Sequence, residues 1–157
     1  MVQINDNEQV ARLLFYSQMI NADGKIMKNA FPTDELLALK CKKGVSVDRC
    51  NLLKDPEKIL HQKAKEIANP KANRKHWGYC IGKVKQIKSI VGNKSQQVFK
   101  ISPDPISDEN NPKPWHLSHT IIVVSDPSCT RADLRGYRDK LTQVFSSKIV
   151  DFNRTHS

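Results

Sequence analysis

The sequence lacks any long hydrophobic run. Its longest uninterrupted apolar stretches, such as Ile121 to Val124, hold four residues, whereas a membrane-spanning helix needs roughly 20. The segment from Met1 to Asp6 also lacks the basic and then apolar pattern of a secretory signal. We therefore expect a cytoplasmic protein that has no membrane partner.

Cysteine residues are few and widely spaced. The chain has four, Cys41, Cys50, Cys80 and Cys129, and none belongs to a Cys-x-x-Cys pair. A zinc site built from Cys41, Cys50, His76 and Cys80 would have spacings unlike those of zinc ribbons or fingers. The sequence therefore predicts reduced thiols, no metal site and no other cofactor.

Acidic residues are scarce in the middle of the chain, which concentrates the net charge of +10 there. Residues 54–100 contain twelve Lys or Arg and three acids, a net charge of +9, whereas residues 101–129 contain four acids and one lysine. Clustered positive charge favours polyanions because binding releases counterions from phosphates. Nucleic acid or nucleotide phosphates are the expected ligands. Solubility alone, or an acidic protein partner, would also explain the charge.

The length of 157 residues and the hydrophobic content of 38% predict one domain, residues 1–157, with a packed core. Capping residues and apolar residues at helical spacing predict helices over 7–20, 55–68 and 130–145. Alternating or continuous apolar stretches predict strands over 44–49, 77–91, 96–101 and 116–124. The expected fold is α+β, with an antiparallel or mixed sheet of about four to five strands packed against about three helices.

Turn residues indicate how these elements connect. Gly92-Asn93 predicts a hairpin that pairs 77–91 with 96–101 and carries much of the basic charge. Residues 102–114 hold four of the eight prolines and are expected to form an exposed loop. From Ser146 to the end of the chain we expect a frayed tail.

Two histidines flank the strongest strand signal. In an unbroken strand over 116–124, His116 and His119 point to opposite faces, so one strand cannot place both in one site. His119 alone is a candidate general acid or base, or a phosphate contact. A hydrogen-bonded structural role is the alternative.

Two groups of cations are candidate ligand-binding surfaces. Arg131, Arg135 and Arg138 recur at i, i+4 and i+7 along the last predicted helix, where guanidinium groups can bind successive phosphates. A solvated helix face is the alternative. Aromatic residues interleaved with cations, as in single-strand binders, form the second group: Arg74, Lys75, Trp77, Tyr79, Lys83 and Lys85. Core packing of its aromatic residues is the alternative.

Arg12, Ser46 and Arg49 complete the candidate residues. Together with His119 they could form a cleft for a nucleotide, as in some ADP-ribosyl-transferring toxins, but no glutamate stands where that chemistry requires one. The sequence also resembles a pattern in small uncharacterised bacterial single-domain proteins. That pattern comprises Arg12-Leu13-Leu14-Phe15, Asp23-Gly24-Lys25-Ile26, Ala30-Phe31-Pro32, Val45-Ser46-Val47-Asp48-Arg49, Asp104-Pro105 and Ser118-His119-Thr120-Ile121. The resemblance implies a single domain and no particular activity.

Three functions remain open at this level. The first is a basic domain that binds nucleic acid or nucleotide phosphates through the hairpin and the arginine-bearing helix. The second is a small enzyme, such as a toxin or defence effector acting on RNA or a nucleotide, with His119 as acid/base and Arg49 or Arg12 as an anion clamp. The third is a protein-interaction module for an acidic partner.

Overall fold

The computed structural model describes residues 3–68 and 75–155. Six strands are present in these ranges: β1 (Gln9–Tyr16), β2 (Val45–Arg49), β3 (Lys75–Lys83), β4 (Phe99–Pro103), β5 (His119–Val124) and β6 (Ile149–Asp151). The helices are α1 (Thr33–Leu36), α2 (Pro56–Ala68), α3 (Val84–Lys88), α4 (Arg131–Ser146) and α5 (Phe152–Thr155), with short 3-10 turns at Lys28–Ala30 and Cys50–Leu52. None of the helices in the described ranges is long and apolar enough to cross a membrane.

The six strands form one antiparallel sheet in the order β4-β5-β2-β1-β3-β6. Helices cover both faces. Asp48 of β2 contacts Lys63 of α2, which places α2 on the face of the sheet that carries Asp48. Gly82 of β3 lies against the Phe145 ring, which places α4 on the opposite face. The α+β class is confirmed, but the sheet has more strands, and the chain more helices, than the sequence predicts.

The predicted helix over 7–20 is wrong, because residues 9–16 form the central strand β1. β1 lies between β2 and β3, and its residues from Val10 to Phe15 are all buried. A strand covered on both faces loses the polar–apolar alternation that identifies half-buried strands, so its largely apolar sequence also fits a helix.

The predicted hairpin between 77–91 and 96–101 is also wrong. β3 ends at Lys83, the chain turns into α3, and β4 pairs with β5 instead. Three strands, β5, β2 and β1, lie between β4 and β3. The physical reason is that both edges of β3 are already occupied, one by β1 and the other by β6. Gly92 still makes a local turn, closed by an isolated bridge between Val91 and Gln97.

The expected frayed tail from Ser146 is wrong for most of its described residues. Residues Ile149–Asp151 form β6, which pairs with Gly78 to Cys80 of β3. Phe152 then inserts into the α2 face, only 1% exposed, with its ring stacked 4.4 Å from that of His61. By contrast β2, α2 and α4 lie within one or two residues of their predicted positions, which confirms those three predictions.

Candidate functional site

The imidazole of His119 contacts polar groups of two other residues, Asp104 and Ser46. Its Nδ1 lies 2.8 Å from the backbone carbonyl oxygen of Asp104 and 3.3 Å from an oxygen of the Asp104 carboxylate. Its Nε2 lies 3.2 Å from Oγ of Ser46. His119 begins β5, Ser46 is the second residue of β2, and Asp104 directly follows β4. The His119 side chain is 14% exposed.

The Asp104 contacts fix the tautomer of His119. A carbonyl oxygen can only accept a hydrogen bond, so Nδ1 must carry the proton. In the neutral ring Nε2 is then the acceptor, and the Ser46 hydroxyl can donate to it. The Asp104 backbone N–H also donates to the His119 carbonyl at 2.9 Å, which ties the two residues together through the sheet. The resulting arrangement is a carboxylate, an imidazole and a hydroxyl in series.

Arg12 fills a gap between two strands beside Ser46. Within residues 3–68, β1 pairs with β2 only through Val10 with Arg49 and Ala11 with Asp48. Beyond those pairs Arg12 donates from Nη1 to the Ser46 carbonyl at 2.9 Å and from Nε to the Ala30 carbonyl at 3.0 Å. The guanidinium therefore takes the place of a backbone donor to Ser46. The separated strands leave room for a cleft.

The cleft has a volume of about 210 Å³ and a mixed polar and apolar lining. Its charged members are Arg12, Lys63, Asp48 and Glu35, and Ser46 lines it as well. Lys63 and Asp48 form a buried ion pair at 2.5 Å, and the hydroxyl of Ser118 donates to the other Asp48 oxygen at 2.8 Å. Apolar walls come from Leu13, Phe15, Met19 and Ile67.

Arg49 does not join this cleft. Its guanidinium donates twice to the Glu8 carboxylate, at 2.7 and 2.8 Å, and once to the Gln3 carbonyl at 3.2 Å, and its side chain is 3% exposed. Burial alone would raise the pKa of Glu8, but hydrogen bonds from Arg49 and from the Asn5 backbone outweigh it and hold that pKa below the ordinary value. The role of Arg49 as an anion clamp is therefore wrong. It is a buried structural partner of Glu8.

The arginine-bearing face of α4 is less continuous than the sequence predicts. Arg131 forms an ion pair with Asp34 of α1, Arg135 is exposed, and Arg138 is half-buried. Partial burial opposes ionisation of Asp34, yet Arg131 and Lys40 lower its pKa. Only Arg135 thus presents an exposed guanidinium with no ion pair among the described residues.

The aromatic and cationic group in and around β3 is divided between core and surface. Tyr79 is 6% exposed and packs beneath Phe152, so the core reading of this residue is the one observed. Trp77 is half-buried against the core, whereas Lys75, Lys83 and Lys85 are exposed. Arg74 lies outside the described residues. No continuous hairpin surface connects the exposed lysines of this group to β4, because β3 and β4 are not neighbours.

His116 precedes β5, which begins at His119. The predicted strand over 116–124 is therefore too long at its start, and strand alternation does not determine where the His116 side chain points. His116 lies in the turn over 114–118, and its Nδ1 accepts a hydrogen bond from the Lys113 backbone N–H at 3.3 Å. Asp104 and Lys63 are not among the residues that the sequence predicts for this site. Lys63 could have been found, because it falls four residues from both Ile59 and Ile67 on the apolar side of α2.

The thiols and the remaining titratable groups offer no second centre in the described ranges. Burial raises the pKa of Cys80 to about 12, and burial together with the nearby Asp48 charge raises that of Cys50 to about 11. Neither thiol is therefore ionised near neutral pH. Among the described residues no three His, Cys, Asp or Glu side chains are grouped so as to hold a metal ion.

Comparisons with protein-family models, with curated proteins and with solved structures found no match to this chain. The resemblance to small bacterial proteins therefore remains a prediction, and the geometry of the cleft carries the functional inference.

Proposed function

We propose that the chain is a small hydrolase in which Ser46 is the nucleophile and His119 is its general base. The observation that carries this proposal is the contact of His119 Nδ1 with the Asp104 carbonyl at 2.8 Å, which makes Nε2 the acceptor of the neutral ring, 3.2 Å from the Ser46 hydroxyl. A nucleophile within hydrogen-bond reach of a base, which is itself oriented by a third group, is the arrangement that nucleophilic catalysis needs.

The reaction proceeds in two balanced halves. Ser46 Oγ forms a bond to the electrophilic centre of an ester, its proton passes to His119 Nε2, and the same proton then goes to the departing oxygen as the bond to it breaks. Water next attacks the electrophilic centre of the ester on Ser46 and gives a proton to His119 Nε2. The bond from that centre to Ser46 Oγ then breaks, and His119 returns the proton to Oγ. The Asp104 carboxylate, 3.3 Å from Nδ1, stabilises the imidazolium present between transfers.

The Arg12 guanidinium favours a substrate that develops negative charge beside the nucleophile, where it is held by its bond to the Ser46 carbonyl. Lys63 lines the same cleft but is paired with Asp48. Positive groups fixed at the place where charge develops stabilise a transition state without reorganisation. Arg12 thus retains the anion-stabilising role proposed from the sequence, and Arg49 does not.

Hydrolysis of two chromogenic model substrates, p-nitrophenyl acetate and bis(p-nitrophenyl) phosphate, tests the proposal. We expect His119→Gln and Ser46→Ala each to lower the rate by about 100-fold or more, since a positioned general base contributes that much. His76→Gln on β3, which lines neither this cleft nor its neighbour, is the matched control and should leave the rate within about twofold of wild type. The assignment would be refuted if the wild type hydrolysed neither substrate, or if the control variant lost as much activity as the other two variants.

Nucleic-acid binding remains a second proposal, supported by the net charge of +10 and by the exposed cations Lys75, Lys83, Lys85 and Arg135. Its measurable consequence is salt-dependent affinity for DNA or RNA oligonucleotides, because released counterions make the affinity fall as salt rises. Binding that is absent at low ionic strength, or that does not change with salt, would eliminate it.

A further inference from the structure

A second cavity lies next to the Ser46 cleft, across the side chain of Ile67. Ile67 lines both spaces. Lys63, which borders the cleft, precedes Ile67 by four residues, or about one turn of α2. The second cavity encloses about 250 Å³ between α2 and the connection from β4 to β5, and its other lining residues are Glu66, Asp108, Asn111, Lys113, Trp115 and His116. The two spaces are therefore neighbours that share Ile67 as a wall.

Two aromatic rings form part of the wall of the second cavity. Trp115 is 5% exposed, and its ring lies 6.2 Å from that of His116 at an interplanar angle of 89°. The Trp115 ring is buried, and the Lys113 ammonium lies 6.0 Å from its centroid, so a flat ring can stack only on the half-buried ring of His116. A ring stacked there would meet Trp115 edge-on, and both geometries are favourable for aromatic groups. The wall therefore suits a planar aromatic group.

Polar groups of both kinds surround that wall. The Lys113 backbone N–H donates to His116 Nδ1, so in the neutral ring the proton lies on Nε2, which is then a donor. The Asn111 carboxamide offers a donor and an acceptor, and the Asp108 carboxylate offers acceptors. An ion pair of 2.8 Å between Lys113 and Glu66 holds the β4–β5 connection against α2. A planar group with donors and acceptors along its edge fits these partners.

We infer that the second cavity binds the base of a nucleotide whose phosphate lies in the cleft beside Ser46. Nucleobases are planar, stack on aromatic side chains and present donors and acceptors at their edges. The phosphate would lie near Arg12, which is held beside Ser46, whereas Lys63 of the same cleft is paired with Asp48. This inference rests on the proposed function, and it makes the bond that Ser46 attacks a phosphoester. Ser46 Oγ bonds to phosphorus, the bond from phosphorus to the departing oxygen breaks, and His119 delivers the serine proton to that oxygen.

Tryptophan fluorescence can test base binding without any catalysis. The protein would carry Trp77→Phe, so that Trp115 is the fluorophore, and Ser46→Ala, so that nothing is turned over. Titration with AMP, GMP, CMP and UMP should give a saturable change with a Kd below about 1 mM for at least one of them. Ribose 5-phosphate, which has no base, should bind at least tenfold more weakly.

The variants His116→Ala and Asn111→Ala should each weaken that binding about tenfold. Asn93→Ala, at an exposed asparagine of a different cavity, is the matched control and should leave it unchanged. The inference is overturned when no nucleotide changes the fluorescence, or when ribose 5-phosphate binds as tightly as the nucleotides. Because Ser46 is already replaced, such a result leaves the Ser46 chemistry intact. If the wild type hydrolysed neither model substrate while the Ser46→Ala protein still bound a nucleotide saturably, the proposed function alone would be refuted.

Discussion

His119 contacts Ser46 through Nε2 at 3.2 Å while its Nδ1 contacts the backbone carbonyl of Asp104 at 2.8 Å. The sheet register determines this relationship. Asp48, two residues beyond Ser46 on β2, pairs with His119 on β5, and the end of β4 pairs with Thr120. Three adjacent strands thus bring together residues that are 73 and 15 positions apart in the chain.

The carbonyl of Asp104, rather than its carboxylate, makes the shorter contact with His119. Replacement of the carboxylate in Asp104→Asn should therefore preserve the Nδ1–H tautomer, because the carbonyl remains. The rate of ester hydrolysis should still fall about tenfold, the equivalent of roughly 1.4 kcal/mol, through loss of the negative charge beside the imidazolium. Nitrogen-15 NMR of the imidazole ring reports the tautomer. A ring with its proton on Nε2 in the wild type would contradict the fixed tautomer.

The Glu8–Arg49 pair is a buried ion pair whose two carboxylate oxygens are both bonded to the guanidinium. Removing one partner leaves a buried charge without its counterion, so Arg49→Met should lower the free energy of unfolding by about 3–5 kcal/mol. The double variant Glu8→Leu with Arg49→Met removes both charges and should recover most of that loss. Urea denaturation measures both values. Equal destabilisation in the single and double variants would argue against a coupled pair.

The lowered pKa of Glu8 predicts a specific acid sensitivity. Burial opposes its ionisation, but Arg49 and the Asn5 backbone together depress the folded-state pKa below the ordinary value of 4.5. A depressed carboxyl pKa stabilises the fold above the unfolded-state pKa, and that stability is lost as the pH falls through the folded-state pKa. Stability curves should therefore fall less steeply below about pH 4.5 in Glu8→Gln than in wild type. Parallel curves would show that Glu8 does not contribute.

Two glycines provide a matched pair that tests the docking of the C-terminal segment. A Cβ on Gly78 would lie 1.9 Å from the Val150 carbonyl oxygen, whereas a Cβ on Gly136 would meet nothing within 4 Å. Gly78→Ala should separate β6 from β3, destabilise the protein by about 2 kcal/mol or more, and deprotect the amides of Ile149–Asp151 in hydrogen exchange. Gly136→Ala, inside α4, should stabilise the protein by about 0.5–1 kcal/mol. Wild-type stability in Gly78→Ala would be inconsistent with the β3–β6 pairing.

Local sequence signals, such as helix caps and polar–apolar alternation, are sufficient to predict some of the helices and strands. The Asp55-Pro56 start of α2, the Thr130 cap of α4 and the alternation of β2 all predict their elements to within one or two residues. The Thr130 hydroxyl does accept from the Asp133 backbone N–H, as a helix cap requires. β1 was missed because burial on both faces removes its alternation.

Long-range pairing accounts for what the sequence could not supply. Residue types alone identify His119 and Ser46 as candidate site residues. Their contact depends on β2 lying beside β5. Arg12 and Arg49 look equivalent in the sequence, and their contacts in the fold separate them. Glu8 lies 41 residues from Arg49 and neutralises it, whereas Arg12 bonds to carbonyls at the cleft. No local pattern encodes such a distinction.

Covalent labelling of Ser46 tests the central claim most directly. Intact protein treated with a fluorophosphonate should carry the phosphonyl group on Ser46, located by peptide mass spectrometry. Labelling should be about 100-fold slower or more in His119→Gln, because the base no longer removes the hydroxyl proton. The buried Ser118, which donates to Asp48, should stay unmodified. An unreactive Ser46, or a Ser46 that reacts as fast in His119→Gln as in the wild type, would contradict its assignment as the nucleophile.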